Sequence, residues 1–318
     1  MARVDELRLI VRIARMYYEW GMRQADIAEQ LGLSQSTVSR LLERSKEEGI
    51  IRISVATIPG VYADLEEKLI QKFGLRDAIV VDILDDRDEK LIHKDLGSAA
   101  AYYLETAIHQ REVIGISSWS STLLNMVDAM HAIPRKPGVK VIQILGGVGN
   151  PTAEVHASRL THRFADLVNG TPVFLSAPGV VGSEAALQVL LEDEYIQQTL
   201  GLFEKVTTAL VGIGAVEPSK LLADSGNIFS AQDLGLLRQN GAVGDILLRF
   251  FDAYGKPVDT VLNKRVISMS LDQLRKVRRA IGIAGGQRKY PAILGALRGG
   301  WINILVTDNH SAARLVKD

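Results

Sequence analysis

The sequence predicts an α/β protein with two domains: a helix-turn-helix domain over residues 1–57, and a domain over residues 58–318 built on a doubly wound, largely parallel sheet. The chain has 318 residues, more than one typical domain holds. Apolar residues recur at helical spacing up to about residue 50. Beyond residue 60, short apolar runs alternate with helical patterns, which is typical of parallel sheets covered on both faces.

Composition excludes several classes of protein. Hydrophobic residues make up 47% and charged residues 23%, as in ordinary soluble globular chains. The absence of cysteine excludes disulfides, thiolate zinc sites and a cysteine nucleophile. No apolar run approaches the roughly 20 residues that span a bilayer, so we expect no membrane partner. The first residues form an amphipathic pattern rather than a signal peptide, and we expect a cytoplasmic protein.

Two helices are predicted at the start of the first domain. Apolar residues within Leu7–Tyr18 form one stripe of a helix, which Gly21 ends. A second helix covers about Gln24–Gln30. Gly32 follows it, where a tight turn between helices needs a residue that tolerates positive φ. Ser34 then provides a good N-cap for a third helix.

The second and third helices carry a motif. The stretch IAEQLGLSQSTVSRLL has the apolar spacing, the glycine turn and the small Ala28 that let two helices cross closely, which is typical of a helix-turn-helix. Gly49 is expected to end the third helix, and Ile50–Val55 to form a short strand or wing. The outward face suits base edges and phosphates in a major groove. These predicted DNA contacts are Gln35, Ser36, Thr37, Ser39 and Arg40. The alternative is a plain three-helix bundle with a solvated polar face.

The charge balance bears on how such a domain would bind. The chain carries 37 basic and 37 acidic residues, and residues 1–54 carry nine basic and eight acidic side chains, a net charge of +1. A strongly basic chain would by itself indicate nucleic acid binding, and this chain does not. We therefore expect weak non-specific binding, with affinity coming from paired domains in a homodimer or homotetramer.

The second domain alternates helices and strands. Leu65, Leu69 and Phe73 lie on one face of a predicted linker helix over residues 63–73. The predicted strands are 78–81, 112–117, 140–145, 172–175, 208–213, 280–283 and 302–307. Ligands of open parallel sheets bind at the carboxyl ends of the strands. The loops after these runs are therefore where a binding site is expected.

Three of these loops carry candidate groups. The first contains Ser117, Ser118, Ser120, Ser121 and Thr122, whose hydroxyls and backbone N–H groups at a helix start suit an anion such as phosphate. Helix capping by the serines is the alternative. The second, residues 285–290, offers Lys289 as a point charge, unless it is a solvated basic turn. The third begins with Gly146 and Gly147, which allow close backbone approach but match no dinucleotide fingerprint, so no cofactor is expected.

Two further candidates concern acids and metals. Asp245 lies among apolar residues, where a carboxylate needs partners, and ligand hydroxyls are one possible partner. Asp252 can equally cap a turn or pair with Arg249. His156 and His162 are six residues apart, which suits ligation on neither helical spacing, so no metal site is predicted.

Four stretches together resemble the SorC/DeoR-type sugar-binding transcriptional regulators of bacteria. They are ARMYYEWGMRQADIAEQLGLSQSTVSRLL, IGISSWSSTL, AVGDILLRFFDAYGKPV and IAGGQRKYPAILGALRGGWINILVTD, spread over nearly the whole chain. The resemblance implies an effector domain similar to sugar-phosphate isomerases and deaminases, and dimers or tetramers. It implies that residues 117–122 and Lys289 hold a phosphate or equivalent group, and that Asp245 takes a sugar hydroxyl. Residues 35–37 and Arg40 would face the operator.

Two positions depart from the family pattern. Arg23 stands where the family often has Thr or Ser before the glutamine of the second helix, which removes a cap but offers a phosphate contact. Some relatives carry a lysine just before the paired glycines, where it forms a Schiff base with the effector. Here that position is Leu145, which excludes covalent capture there.

Two other functions compete with an effector-controlled regulator. A sugar-phosphate isomerase or deaminase would need acid and base groups after the strand at residues 208–213. Glu217 is present there, but no Asp/His pair accompanies it, so proton-transfer groups are expected to be absent. A metabolite carrier without enzymatic activity would leave the helix-turn-helix unexplained.

Overall fold

The computed structural model describes residues 2–51, 58–134 and 137–318, with the side chains of residues 2–3 and 151–156 left aside. Two compact units divide the chain, Met1–Pro59 and Gly60–Asp318. The predicted strand at Ile50–Val55 falls mostly on residues outside the described ranges. Of the helices described, none is long and apolar enough to cross a lipid bilayer.

The first unit is a helical domain. It contains α1 (Ala2–Tyr18), α2 (Gln24–Leu31) and α3 (Gln35–Glu47). Gly32 lies between α2 and α3 with φ of +65°, the left-handed conformation that the sequence predicts for it. The helices enclose one apolar cluster, so the angle between α2 and α3 is fixed by packing. Its buried members are Ile10, Ile13, Met16, Ile27, Ala28, Val38, Leu41 and Leu42.

The second unit contains ten strands among its described residues. They are β1 (Asp77–Val81), β2 (Val113–Ile116), β3 (Lys140–Gln143), β4 (Thr171–Val173), β5 (Thr208–Gly212), β6 (Gly214–Ala215), β7 (Ala242–Ile246), β8 (Arg249–Asp252), β9 (Arg279–Ile283) and β10 (Ile304–Asp308). Seven of them form one parallel sheet in the order β1-β10-β9-β5-β2-β3-β4. These seven are the predicted strands, and the doubly wound fold class is confirmed.

The strand order reverses between β2 and β5. The chain runs outward from β2 to β3 and β4, and then returns to β5 on the other side of β2, where Gly115 faces Ala209. The loops that leave the carboxyl ends of β2 and β5 therefore diverge in opposite directions. In open α/β sheets, the crevice at such a switch point is where ligands bind.

Helices cover both faces of the large sheet. The helices of the second unit are α4 (Ala63–Phe73), α5 (Glu89–Ala107), α6 (Ser121–Ala129), α7 (Pro151–Leu167), α8 (Glu184–Leu191), α9 (Glu194–Leu200), α10 (Lys220–Asp224), α11 (Ala231–Gln239), α12 (Leu271–Lys276), α13 (Tyr290–Arg298) and α14 (Asn309–Lys317). Successive side chains of a strand point to opposite faces. In β10, Leu305 accordingly belongs to one buried cluster, with Ile293 and Leu315, while Val306 belongs to the other, with Leu96 and Phe164.

A second, antiparallel sheet was not predicted. It joins β6, β7 and β8, and Leu247 and Leu248 form the turn between the last two strands. Both leucines have positive φ, +56° and +62°, a conformation that hairpin turns usually assign to glycine or asparagine. The sequence therefore carries no hairpin signal at this position. The small sheet places Asp245, on β7, beside Gly214 on β6.

Candidate functional site

The outward face of α3 is built by its first turn. Ser34 is the N-cap, and its hydroxyl accepts a hydrogen bond from the Thr37 backbone N–H at 3.1 Å. The same hydroxyl lies 2.9 Å from the Ser36 hydroxyl and 2.8 Å from the Thr37 hydroxyl. Val38 is buried in the core of the unit, which fixes the rotation of the helix. The polar residues between the buried positions therefore face away from that core.

The predicted DNA contacts lie on this face. Within the N-terminal unit, Gln35, Ser36, Ser39 and Arg40 are exposed and Thr37 is half-buried. Among the described residues, none accepts a hydrogen bond or ion pair from Arg40, so its guanidinium is available to a phosphate or a base edge. The arrangement is what a recognition helix requires: a rigid helix with short polar groups and a free arginine on one side.

Arg23 occupies the N-cap position of α2 without capping it. Its side chain makes no capping hydrogen bond to the backbone of the first turn, as predicted from the absence of Thr or Ser at this position. Instead, its guanidinium forms a two-bond pair with Asp26, both nitrogen–oxygen distances being 3.0 Å. A DNA phosphate would have to compete with that carboxylate. The role of Arg23 in DNA contact stays a prediction.

A cavity lies at the switch point of the large sheet. It encloses about 620 Å³ of empty space including its open mouth. The loops after β2 and β5, the β7–β8 turn and the loop after β9 all contribute to it. Its lining includes Ser117, Ser120, Ser121, Thr122, Leu145, Gly212, Glu217, Asp245, Leu247, Leu248, Arg288, Lys289 and His93.

The start of α6 forms one wall of this cavity. Ser120 is the N-cap, and its hydroxyl accepts from the Leu123 N–H at 3.3 Å. The backbone N–H groups of the first turn have no partner within the helix, and they carry the positive end of the helix dipole. The hydroxyls of Ser121 and Thr122 line the same wall. Gly212 lies close behind, since a Cβ there would be 3.1 Å from the Ser120 hydroxyl.

Lys289 supplies a cation to the cavity. Burial, together with the charge of Arg288, lowers the pKa of Lys289 to about 8, although Glu89 and Asp245 oppose the shift. The ammonium group is therefore still mostly charged at neutral pH. Within the part of the chain that the structure describes, it donates no hydrogen bond and forms no ion pair. A bound anion would provide the partner that this cation lacks.

Asp245 supplies a carboxylate on the same cavity. The residue is 8% exposed, and burial raises the pKa of its carboxyl to about 6, although the Leu248 N–H and Lys289 lower it. Its Oδ2 atom accepts a hydrogen bond from the Leu248 backbone N–H at 2.9 Å. A carboxylate that is mostly ionised at neutral pH, with remaining acceptor capacity, suits the hydroxyl groups of a ligand.

Three predicted effector contacts, Ser118, Gly146 and Gly147, lie outside the cavity lining. The Ser118 hydroxyl donates to the Leu145 carbonyl at 2.6 Å and is buried. A Cβ atom at Gly146 would lie 2.3 Å from the Pro178 carbonyl carbon, and one at Gly147 would lie 2.6 Å from the Gln143 side-chain oxygen. Gly146 therefore lets its own segment pass close to the backbone of Pro178, and Gly147 leaves space for the side chain of Gln143.

Glu217 and His93 are among the cavity residues that were not predicted as effector contacts. Glu217, after β5, pairs with Arg238 at 2.6 Å, and this hydrogen bond lowers the pKa of its carboxyl. His93, from α5, lines the same cavity, as does Asp245. The position of Glu217 after a strand was a usable signal, whereas nothing local distinguishes His93 from a surface histidine.

No cluster of metal-ligating side chains occurs in the described ranges. His162 pairs with Asp166 at 3.0 Å on one face of α7, and the side chain of His156 lies outside what the structure describes. Asp252, the other acid singled out, accepts from the N–H groups of Tyr254 and Lys256, both at 2.9 Å. Asp252 therefore caps a turn, which is one of the two alternatives predicted for it.

A helix-turn-helix with an exposed polar face and an α/β sheet with a polar cavity at its switch point define a class of protein, the ligand-binding transcription regulators. The comparisons agree with this class. A family model described as "Putative sugar-binding domain" matches residues 60–317, and one described as "Homeodomain-like domain" matches residues 5–53. The chain belongs to the SorC/DeoR-type family of sugar-binding transcriptional regulators.

Full-length relatives share this organisation. The deoxyribonucleoside regulator of Bacillus subtilis is 33% identical over 99% of both chains, and the sorbitol operon regulator of Klebsiella pneumoniae is 32% identical over the whole of both. The crystal structure of the full-length Klebsiella regulator superposes with a TM-score of 0.73 at 30% identity, covering 98% of this chain and 99% of that one. These relatives are named as regulators, and this chain is a transcriptional regulator rather than an enzyme.

Proposed function

We propose that a phosphorylated carbohydrate binds in the cavity of the second unit and thereby changes the affinity of the first unit for operator DNA. One observation carries this proposal. The cavity combines an anion-binding end, formed by the start of α6 and the unpaired Lys289, with a buried carboxylate, Asp245. A ligand with an anionic group and several hydroxyls complements both ends.

The phosphate end is assigned to the hydroxyls and N–H groups of the loop after β2. Ser117, Ser120, Ser121 and Thr122 would surround the phosphate oxygens, and Lys289 would balance their charge. Backbone N–H groups at a helix start favour anions through hydrogen bonds and through the helix dipole. Asp245 would accept hydrogen bonds from hydroxyls further along the ligand.

Operator binding is assigned to the exposed face of α3. Gln35, Ser36, Thr37, Ser39 and Arg40 would contact the major groove and its flanking phosphates, and Arg23 would add a phosphate contact. The small net charge of this unit favours binding through two copies, and we propose a homodimer or homotetramer in the cytoplasm. Multi-angle light scattering during gel filtration measures the oligomeric state, and a monomer would contradict it.

The link between the two sites is a difference in affinity. An effector that binds two conformations unequally shifts their populations, and the operator affinity follows by linkage. A tenfold change in operator affinity requires a coupling free energy of about 1.4 kcal/mol. Operator DNA changes effector affinity by the same factor, so the coupling can be measured from either ligand.

A thermal-shift screen tests the proposal. The names of the relatives suggest deoxyribonucleosides and sorbitol as starting chemistries. The probes are therefore 2-deoxyribose with 2-deoxyribose 5-phosphate, and sorbitol with sorbitol 6-phosphate. Other sugars and polyols follow, each paired with its phosphate. Binding at 100 times Kd stabilises the folded chain by about 2.7 kcal/mol, which raises Tm. We expect phosphorylated members to shift Tm and then to change operator binding in a gel-shift assay. Equal shifts in Tm by the unphosphorylated compound of each pair would overturn the assignment of a phosphate to the start of α6.

A further inference from the structure

A second cavity adjoins the first. It encloses about 580 Å³ of empty space including its open mouth, and it lies between the start of α5 and the turn after β9. His93, Arg288 and Lys289 line both cavities, so these three side chains form a shared wall. The floor is rigid, because the Gln287 N–H donates to the Asp86 carbonyl at 3.3 Å and a Cβ at Gly286 would meet Ile92 at 2.8 Å.

The lining of the second cavity carries three basic side chains, Arg87, Arg288 and the shared Lys289, and two acidic ones, Asp86 and Glu89. Arg288 forms an ion pair with Glu89. Polar side chains of this kind can exchange hydrogen bonds with the hydroxyl groups of a ligand.

His93, like Lys289, is a polar group on the shared wall that has no partner among the described residues. Among the residues that the structure describes, none forms a hydrogen bond or ion pair with its ring. Burial lowers the pKa of His93 to about 4, with Lys289 and Arg288 adding to this and Glu89 opposing it. The imidazole is therefore neutral at neutral pH, and it offers one N–H donor and one nitrogen acceptor. A ligand hydroxyl, which both donates and accepts, can use either nitrogen.

We infer that the two cavities form one elongated site, and that His93 is a specificity residue that binds a hydroxyl of the effector beyond its phosphate-proximal carbons. This inference rests on the proposed function, because it takes the anionic end of the effector to be at the start of α6. The ligand class is then a sugar or polyol monophosphate long enough to pass His93. Short phosphates fill only the anionic end.

Calorimetric titration tests the role of His93. The probes are inorganic phosphate, glycerol 3-phosphate and D-sorbitol 6-phosphate, titrated into the full-length wild-type chain and three variants. His93→Leu removes both nitrogens, His93→Asn keeps a donor and an acceptor, and His131→Leu removes an exposed imidazole elsewhere as the control. We expect His93→Leu to lower the affinity for sorbitol 6-phosphate about tenfold and the affinity for glycerol 3-phosphate less than twofold. His93→Asn should recover most of the loss.

Each other outcome contradicts the inference. Unchanged sorbitol 6-phosphate affinity in His93→Leu would show that the ligand does not reach the imidazole. An equal loss for glycerol 3-phosphate and inorganic phosphate would show that His93 acts on the anionic end or on folding. A similar loss in His131→Leu would show a general effect of the substitution. Failure of all three probes to bind the wild-type chain would overturn the proposed function, and this inference with it.

Discussion

The Oδ2 atom of Asp245 accepts a hydrogen bond of 2.9 Å from the backbone N–H of Leu248, three residues further along the chain. This bond spans a turn in which Leu247 and Leu248 both adopt the left-handed conformation. Left-handed backbone costs on the order of 1–3 kcal/mol for each residue other than glycine. Both leucines and the carboxylate line the cavity. The strained turn therefore places two apolar side chains and the Asp245 carboxylate on the cavity wall.

Asp245→Asn should stabilise the chain above pH 6. The folded-state pKa of Asp245 is raised to about 6 from a usual value of 3.8, mainly by burial. Folding therefore favours the protonated form, and this contribution is fully present below pH 3.8 and lost as the pH rises through 6. At pH 8 the variant should exceed the wild type by roughly 1–3 kcal/mol in free energy of unfolding. Thermal unfolding from pH 4 to pH 8 measures the difference.

The pH profile separates this cause from others. Asparagine still accepts the Leu248 N–H, so the turn is retained and only the buried charge is lost. The advantage of the variant should shrink as the pH falls from 6 towards 3.8. A constant difference at every pH, or greater stability of the wild type at pH 8, would contradict a raised pKa. Asp252→Asn, on an exposed turn, is the control.

Lys289→Ala should abolish the effector response while leaving operator binding intact. The variant removes the cation that the proposed phosphate neutralises, and it changes nothing in the N-terminal unit. We expect a loss of effector affinity of at least 30-fold by calorimetry, about 2 kcal/mol. Lys256→Ala, an exposed lysine elsewhere in the same unit, is the matched control. Unchanged effector affinity in Lys289→Ala would refute the role of this residue.

Effector affinity should also fall at alkaline pH. Burial holds the pKa of Lys289 at about 8, so the free protein loses this charge above that pH. Phosphate monoesters keep their charge there, which leaves the lysine as the group that titrates. In Lys289→Arg the guanidinium stays charged, and the decline between pH 8 and 9.5 should disappear. The same decline in both proteins would assign it to another group.

The sequence predicted the large sheet because its strands are buried on both faces and appear as continuous apolar runs. The small sheet was missed for a physical reason: β6 has two residues, and the β7–β8 turn uses leucines where the usual signal is glycine or asparagine. A turn made of leucines in the left-handed conformation can be recognised only when the packing that stabilises it is known.

The candidate site was predicted to the extent that its groups follow strands. Lys289 and the hydroxyls of residues 117–122, apart from Ser118, do line the cavity, as does Asp245 on its own short strand. His93 reaches it from a helix, so no loop position marks it. Gly146 and Gly147 were assigned to the ligand because glycine permits close approach of any group. The sequence does not show whether the group that approaches a glycine is a ligand or another part of the chain.

Asn227→Ala should destabilise the second unit. The Asn227 side chain is buried, donates to the Val148 carbonyl at 2.9 Å, and accepts from the N–H groups of Gly179 at 2.5 Å and Val180 at 3.3 Å. Alanine would leave these backbone groups unpaired, at about 1–3 kcal/mol for each buried one. We expect a fall of about 2–4 kcal/mol, measured by thermal unfolding.

The matched control for this change is Asn240→Ala. Asn240 is exposed, and its amide donates to the Leu236 carbonyl within the last turn of α11. Its loss should cost less than about 1 kcal/mol, because water can replace the bond. Equal effects of the two substitutions would contradict the role of Asn227 in holding together the segments after β3 and β4.

Arg40→Ala should leave the chain folded and weaken operator binding by about 10–100-fold. The side chain is exposed on α3 within its unit, and no core contact depends on it, so the melting temperature should not change. An arginine contact to a base edge or phosphate contributes roughly 1–3 kcal/mol, which gives the expected range. A gel-shift assay with a duplex selected from random sequence measures it. Arg12→Ala removes the same charge from α1 as the control. Wild-type affinity in Arg40→Ala, or an equal loss in Arg12→Ala, would show that α3 does not present this arginine to DNA.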